Sequence, residues 1–213
     1  MNNKQQIQKL RDNAELAMAS YGYFHLIGKK IKNDEDEYGD KANKPITLHD
    51  ILDITYKNYE TQDSTFFNTE NLNGDFTPTQ AKRFFERYDL LIHQPNTESG
   101  FSATFFYNKE SKEYTLAIRG TEFNLEQIKD LINDYYIGTN NDDLDKVIEQ
   151  YFDMLIFYEE TLKPLMQEKG ITKINVIGHS LGGYLTQLFT LSYPSIINEV
   201  YTYNTSLESR SVA

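Results

Sequence analysis

The sequence predicts an α/β domain with a mixed but mainly parallel central sheet flanked by helices, and three observations carry that prediction. An apolar run, Ile174-Asn175-Val176-Ile177, enters the glycine-rich turn Gly178-His179-Ser180-Leu181-Gly182-Gly183, and a helix-like run leaves it from Tyr184 to Leu191. Upstream, Phe101 to Asn108 and Tyr114 to Arg119 read as strands joined by the polar turn Lys109-Glu110-Ser111-Lys112, which makes them a hairpin. Strands and helices alternate from there on, the arrangement that gives parallel neighbours.

With 213 residues, 39% hydrophobic and 14% aromatic, the chain can bury one sizeable core, and no internal repeat points to a solenoid. Residues 1–213 are therefore read as one domain: an N-terminal helical segment 1–87, a part 88–204 holding the sheet and the glycine turn, and an atypical polar tail 205–213.

Taken in order, Gln6 to Leu26 carries Ile7, Leu10, Ala14, Ala17, Tyr21 and Phe24 at helical spacing and predicts a core-facing helix. Lys29 to Pro45 is charged. Its run Asp34-Glu35-Asp36-Glu37 lacks the glycine and distal Glu of a calcium loop, so it reads as a solvated surface loop and no metal is expected. Thr47 to Tyr59 predicts a short helix with Thr47 as N-cap and Asp50 as an imperfect capping-box partner. Thr61 to Asp75 is rich in Asn, Thr and Asp and reads as loop. Its part Asp63 to Asp75 is long enough to serve as a lid, or equally to be plain surface. Thr77-Pro78-Thr79 opens another helix, with Ala81, Phe84, Phe85 and Tyr88 as its apolar stripe. Tyr88 to His93 then reads as the strand preceding the hairpin.

Beyond the hairpin, a helix is predicted from Leu125 to Tyr135. A long one follows from Asp142 to Glu168, capped by Asp142 or Asp143, with Leu144, Val147, Ile148, Tyr151, Phe152, Leu155 and Tyr158 as its buried face and Pro164 as a kink or end. After the glycine turn, Pro194 breaks the chain and Glu199 to Asn204 forms a further strand.

The glycine turn is the strongest chemical signal. G-x-S-x-G between a strand and a helix reads as a nucleophile elbow, with Ser180 at a tight corner and glycines where a Cβ would strike the neighbouring strand or helix. The Leu181 amide then heads a helix, placed to donate to a developing oxyanion. At the end of the second hairpin strand, Arg119-Gly120-Thr121-Glu122 offers a glycine and a small hydroxyl residue, which suit close approach of backbone amides to a ligand.

The net charge of −11 argues against nucleic acid as a partner and against steady binding to anionic lipid surfaces, while leaving transient contact with a neutral membrane interface open. The sequence has no cysteine, hence neither a disulfide framework nor a thiolate metal site. The polar N-terminus Met1-Asn2-Asn3-Lys4-Gln5-Gln6 does not lead into the apolar core of a secretory signal, so a cytoplasmic location, or secretion without a cleaved signal, is expected.

Together, Tyr114-Thr115-Leu116-Ala117-Ile118-Arg119-Gly120-Thr121 and Gly178-His179-Ser180-Leu181-Gly182-Gly183, at this separation, resemble the class 3 lipases, a branch of the α/β-hydrolase fold. Ser99-Gly100-Phe101-Ser102-Ala103-Thr104 is similar to a bacterial subgroup of them, and the likeness spans roughly Tyr88 to Asn204. The resemblance implies a lipid-ester hydrolase of lipase or phospholipase type without cofactor. Ser180 would be the nucleophile, and the amides of Thr121 and Leu181 the oxyanion hole. Arg119 is expected to anchor its loop through a carboxylate such as Asp130 or Asp134.

The family places its catalytic Asp after the strand that here ends near Asn204, and its His later still. No Asp and no His follows Ser180 in these 213 residues. The chain is accordingly read as an α/β-hydrolase fold incomplete at its C-terminus, truncated before the triad acid and base. His179, His25, His49 and His93 are each expected to be structural. The strand Val200 to Asn204 would form an open sheet edge, inviting a dimer or a complementing chain. Two further function classes follow: a catalytically dead lipid binder keeping an acyl pocket of residues such as Phe101, Phe123 and Leu181, and an interaction module in which the serine is incidental.

Overall fold

The computed structural model describes residues 2–63, 71–120 and 142–204. The chain divides into two compact units, one of Met1–Ser20 with Leu90–Ala213 and one of Tyr21–Asp89.

The first unit is built on a five-stranded sheet in the order β1 (Tyr88–Gln94), β2 (Ala103–Asn108), β3 (Tyr114–Ile118), β4 (Ile174–His179) and β5 (Ile197–Tyr203). β2 and β3 form the expected antiparallel hairpin, with Ala103 opposite Ile118 and Tyr107 opposite Tyr114. β3, β4 and β5 run parallel, Ile118 pairing with Gly178 and His179 with Tyr203. The carboxyl ends of the three parallel strands and the amino end of β2 therefore share one end of the sheet.

One face of the sheet presents Phe105, Leu116, Ile118, Ile174 and Val176 to the helices that follow β3 and β4, where Met154, Phe157, Leu162, Leu185 and Phe189 close the core. Each such side chain contributes about 1.5–3 kcal/mol on burial, so this layer dominates the unit's stability. Thr104, Thr115, Ala117, Asn175 and Ile177 are buried on the opposite face. Helix α1 (Asn3–Ala19) lies on that side, since its Lys9 reaches Glu199 at 2.5 Å and Glu199 is the register partner of Asn175. Tyr201 donates to the same carboxylate at 2.8 Å, and Tyr203 donates to the Leu10 carbonyl at 2.7 Å.

α1 ends six or seven residues short of the predicted Leu26, and its buried residues are Asn13, Leu16, Ala17 and Ala19, whereas Ile7 and Leu10 are exposed. The long helix predicted to Glu168 is two helices: Asp142–Phe157, here α4, and Lys163–Lys169, here α5, separated by a π turn over Tyr158–Leu162. Pro164 explains the break, because it lacks the N–H a continuous helix would use and its ring crowds the carbonyl four residues earlier. The buried face of α4 is Val147, Gln150, Met154 and Phe157, and Ile148 and Phe152 of the predicted stripe are exposed. The predicted helix over Leu125 to Tyr135, the cap at Asp142 or Asp143 and the tail 205–213 lie outside the described residues or side chains.

In the second unit, α3 (Pro78–Arg87) starts as expected, Thr77 and Gln80 forming a capping box, and buries Ala81, Phe84 and Phe85. α2 is a single turn, Glu35–Tyr38, capped by Asp34, so the acidic run caps and solvates. The predicted helix Thr47 to Tyr59 is a series of turns with a 3₁₀ segment at Ile54–Tyr56. Its backbone is diverted: Ile54 N–H donates to Phe76 O at 2.7 Å and Phe76 N–H to Leu52 O at 2.8 Å. Thr47 and Asp50 still make the local cap contact, 2.8 Å from Thr47 N to Asp50 Oδ2. In the lid candidate Asp63 to Asp75, Asn71 pairs with Glu60 just before it, and residues 64–70 lie outside the described set.

The Lys9 contact makes stability pH-dependent. Burial pushes the Glu199 pKa up, but hydrogen bonds from Lys9 and Tyr201 outweigh it and leave the carboxyl below 4.5. Its contribution is therefore complete above that value and is lost as pH falls through the lower, folded-state value. Urea midpoints at pH 7 and at about pH 3.5 should show a smaller acid loss in Glu199→Gln than in the parent. An identical acid loss in both would contradict this account of the carboxylate.

Candidate active site

β4 ends at His179, and helix α6 (Leu181–Ser192) begins two residues later, so Ser180 alone makes the corner. Its φ of 55° and ψ of −127° put an L-residue in a sparsely populated region at a cost of about 1–3 kcal/mol. Surrounding contacts hold it there. Ser180 N–H donates to Tyr203 O at the end of β5 at 2.9 Å, and Ser180 O accepts from Gly183 N–H at 3.0 Å.

The glycines flanking the serine are dictated by packing. A Cβ on Gly178 would lie 2.1 Å from Gly182 O and 2.6 Å from Thr186 Oγ1. A Cβ on Gly182 would lie 2.3 Å from Ile118 O and 2.7 Å from Gly120 N. The first contact allows the helix to turn back on its strand. The second presses the helix start against the end of β3, so Ser180, Leu181 and the Arg119-Gly120 segment meet at one end of the sheet. Leu181, buried, heads α6 with its amide in the first turn.

Sheet order, strand directions and this corner can be set beside known proteins. A family model described as alpha/beta hydrolase fold matches residues 151–212. The Lip2 lipase of Yarrowia lipolytica superposes with a TM-score of 0.50 at 18% identity, over 94% of this chain and 60% of that one. A lipase from Rhizopus microsporus var. chinensis gives 0.54 at 14% identity over 94% and 58%, and lipase II from Rhizopus niveus 0.53 at 14% over 94% and 63%. The chain has the α/β-hydrolase fold. It spans about three fifths of the length of these lipases. No curated protein sequence matches it significantly.

Of the site residues expected for an α/β-hydrolase, Ser180 and Leu181 are brought together, and Thr121 lies outside the described residues, directly after Gly120. Arg119 is buried at the end of β3, its backbone N–H donating to Ser102 O at 3.0 Å and its guanidinium to Asn96 Oδ1. Asp130 and Asp134 fall outside the described residues, and Asn96 is a partner that the sequence reading missed. Phe101 is fully buried with its ring 6.0 Å from that of Phe157, so it belongs to the core beneath α4 and not to an acyl pocket; Phe123 is outside the described set.

His93 Nδ1 lies 2.9 Å from Thr104 Oγ1, His25 packs edge-on to Tyr23, and His49 does the same to Phe85. Burial lowers the His179 pKa from its ordinary value, and Asn204 Nδ2 lies 3.4 Å from its Nε2. No group of three or more His, Cys, Asp or Glu among the described residues could hold a metal ion, and no described helix is long and apolar enough to cross a membrane.

Gly182→Ala should destabilise the protein by about 3 kcal/mol or more, because the added methyl meets backbone on every side. Gly170→Ala is the control: its φ of 66° disfavours an L side chain, a cost that Gly182 does not carry, but its Cβ meets nothing within 4 Å, so only about 1–2 kcal/mol is expected. Denaturant midpoints of the two variants decide it, and an equal cost would refute the close-packing account.

Proposed function

We propose that this chain is a lipid-ester hydrolase of lipase or phospholipase type in which Ser180 is the nucleophile. The observation that carries the reading is the strained Ser180 corner held against the end of β3 by Gly182. The likeness to solved lipases supports it at the level of fold.

Ser180 Oγ would attack the ester carbonyl, its proton passing to a base, and the alkoxide would be expelled as the alcohol. The amides of Leu181 and Thr121 would bond the tetrahedral oxyanion, each donor worth about 3 kcal/mol in a dry site. The acyl-serine would then be hydrolysed by water. The proton acceptor would be supplied from outside the described residues, either by this chain or by a second polypeptide. β5 is an outer strand among the described residues, and its open edge suits a second copy or a complementing chain. The net charge of −11 favours brief contact with a neutral lipid interface over residence on an anionic one.

Intact-mass labelling with a fluorophosphonate tests the reading. One adduct on the folded protein, lost in Ser180→Ala, is expected. A protein that unfolds cooperatively yet takes no label would overturn it in favour of a non-enzymatic lipid binder, which fatty-acid binding without ester turnover would then establish.

A further inference from the structure

The loop 95–102 between β1 and β2 lies at the same end of the sheet as Ser180, because β2 starts opposite the end of β3. The loop is closed on itself, Thr97 N–H donating to Phe101 O at 2.9 Å and Ser102 Oγ to Gln94 O at 2.8 Å. It is also held from outside by α4: Ser99 Oγ donates to Asp153 Oδ2 at 2.6 Å, and Gln150 Nε2 to Ser99 O at 3.0 Å. Gln150 is almost fully buried, an unusual place for an amide, and its position turns the helix away from the apolar stripe that its sequence suggests. From the far side of the same loop, Asn96 takes the Arg119 guanidinium. Arg119 and Gly120 are the residues against which Gly182 packs.

These contacts form one connected path from α4, through the loop, to the strand end facing the elbow. We propose that Asn96 is a positioning residue for acyl transfer at Ser180: bonded to Arg119 and carried on a loop that Gln150 and Asp153 brace from α4 at Ser99, it fixes the end of β3 against the elbow. The proposal rests on the reading of Ser180 as nucleophile. A buried guanidinium is expensive unless its N–H groups are satisfied in fixed directions. Held at its Nη2 by Asn96, the Arg119 side chain restrains the backbone that carries it. The end of β3 at Gly120 then stands in a set relation to the elbow through the Gly182 contact, and displacements of an ångström at such a junction are enough to slow attack substantially.

The test compares Asn96→Ala and Asn96→Asp with the parent in two measurements: the rate and saturation constants for fluorophosphonate labelling of Ser180, and hydrogen exchange at the Gly120 amide. Asn96→Ala should lower the maximal labelling rate about tenfold with unchanged half-saturation, and should speed Gly120 exchange. Asn96→Asp keeps an oxygen acceptor for Arg119 and should return both toward the parent values. If Asn96→Ala fails to fold, Ser99→Ala, which removes the Ser99 Oγ bonds to Asp153, Thr97 and the Phe101 amide but leaves Asn96 on Arg119, should move both in the same direction by less. A lower melting temperature with labelling and Gly120 exchange unaltered would reduce the residue to a structural role and overturn the proposal. A parent protein that never labels overturns the nucleophile reading instead, and Gly120 exchange alone then decides the brace: faster in Asn96→Ala and restored in Asn96→Asp upholds it, unchanged refutes it.

Discussion

The site depends on the close approach of Gly182 to the end of β3. With no side chain at that position, the first turn of α6 sits directly on Ile118, Arg119 and Gly120, and three consequences follow from the one contact. Ser180 is forced into its positive-φ corner, its amide is turned toward β5, and the start of a helix is delivered beside a strand end. The strain at Ser180 is of the order of a kilocalorie or two, small against the buried layer of Phe105, Leu116, Ile118, Val176, Leu185 and Phe189 beneath it. A core of that size can hold an unfavourable corner, which is how a strained backbone coexists with a stable fold.

Polar contacts do a different job here. The Lys9 to Glu199 pair is half exposed and worth at most about 1 kcal/mol, so it tunes where α1 lies more than how firmly the unit folds. The same element reaches the site through Tyr203, whose hydroxyl is bonded to α1 and whose carbonyl is bonded to Ser180. Burial raises the pKa of that hydroxyl to about 12, so it remains a proton donor over the whole working range. Helix α1, β5 and the elbow are thus tied in sequence without any charge being committed to the interior.

Legibility in the sequence follows the range of the forces involved. The hairpin, the strand into the elbow, the capped start of α3 and the tight corner at Ser180 were readable because each is fixed by neighbours a few residues away: alternation, a glycine turn, a Thr–Pro cap. Elements decided by distant partners were not. Residues 47–59 have a helix's local signals, but Phe76 captures the backbone groups of Leu52 and Ile54, and Gly74 packs against Leu52 so closely that no helix could persist there. α4 turns a different face inward because Gln150 and Asp153 answer to Ser99, some fifty residues earlier. Two polar residues interrupting an otherwise apolar stripe were the available signal. Asn96 gave none, since a loop asparagine looks alike whether or not an arginine ends on it.

The central claim is that the first amide of α6 faces the place where charge develops on a substrate bonded to Ser180. Amide NMR of the protein before and after phosphonylation measures this most directly. A strong downfield shift of the Leu181 amide proton on phosphonylation is the predicted result, because the phosphonyl oxygen occupies the oxyanion position. A Leu181 resonance that stays in place while the label is demonstrably on Ser180 would contradict the account, and would mean that the corner is architecture without an oxyanion site.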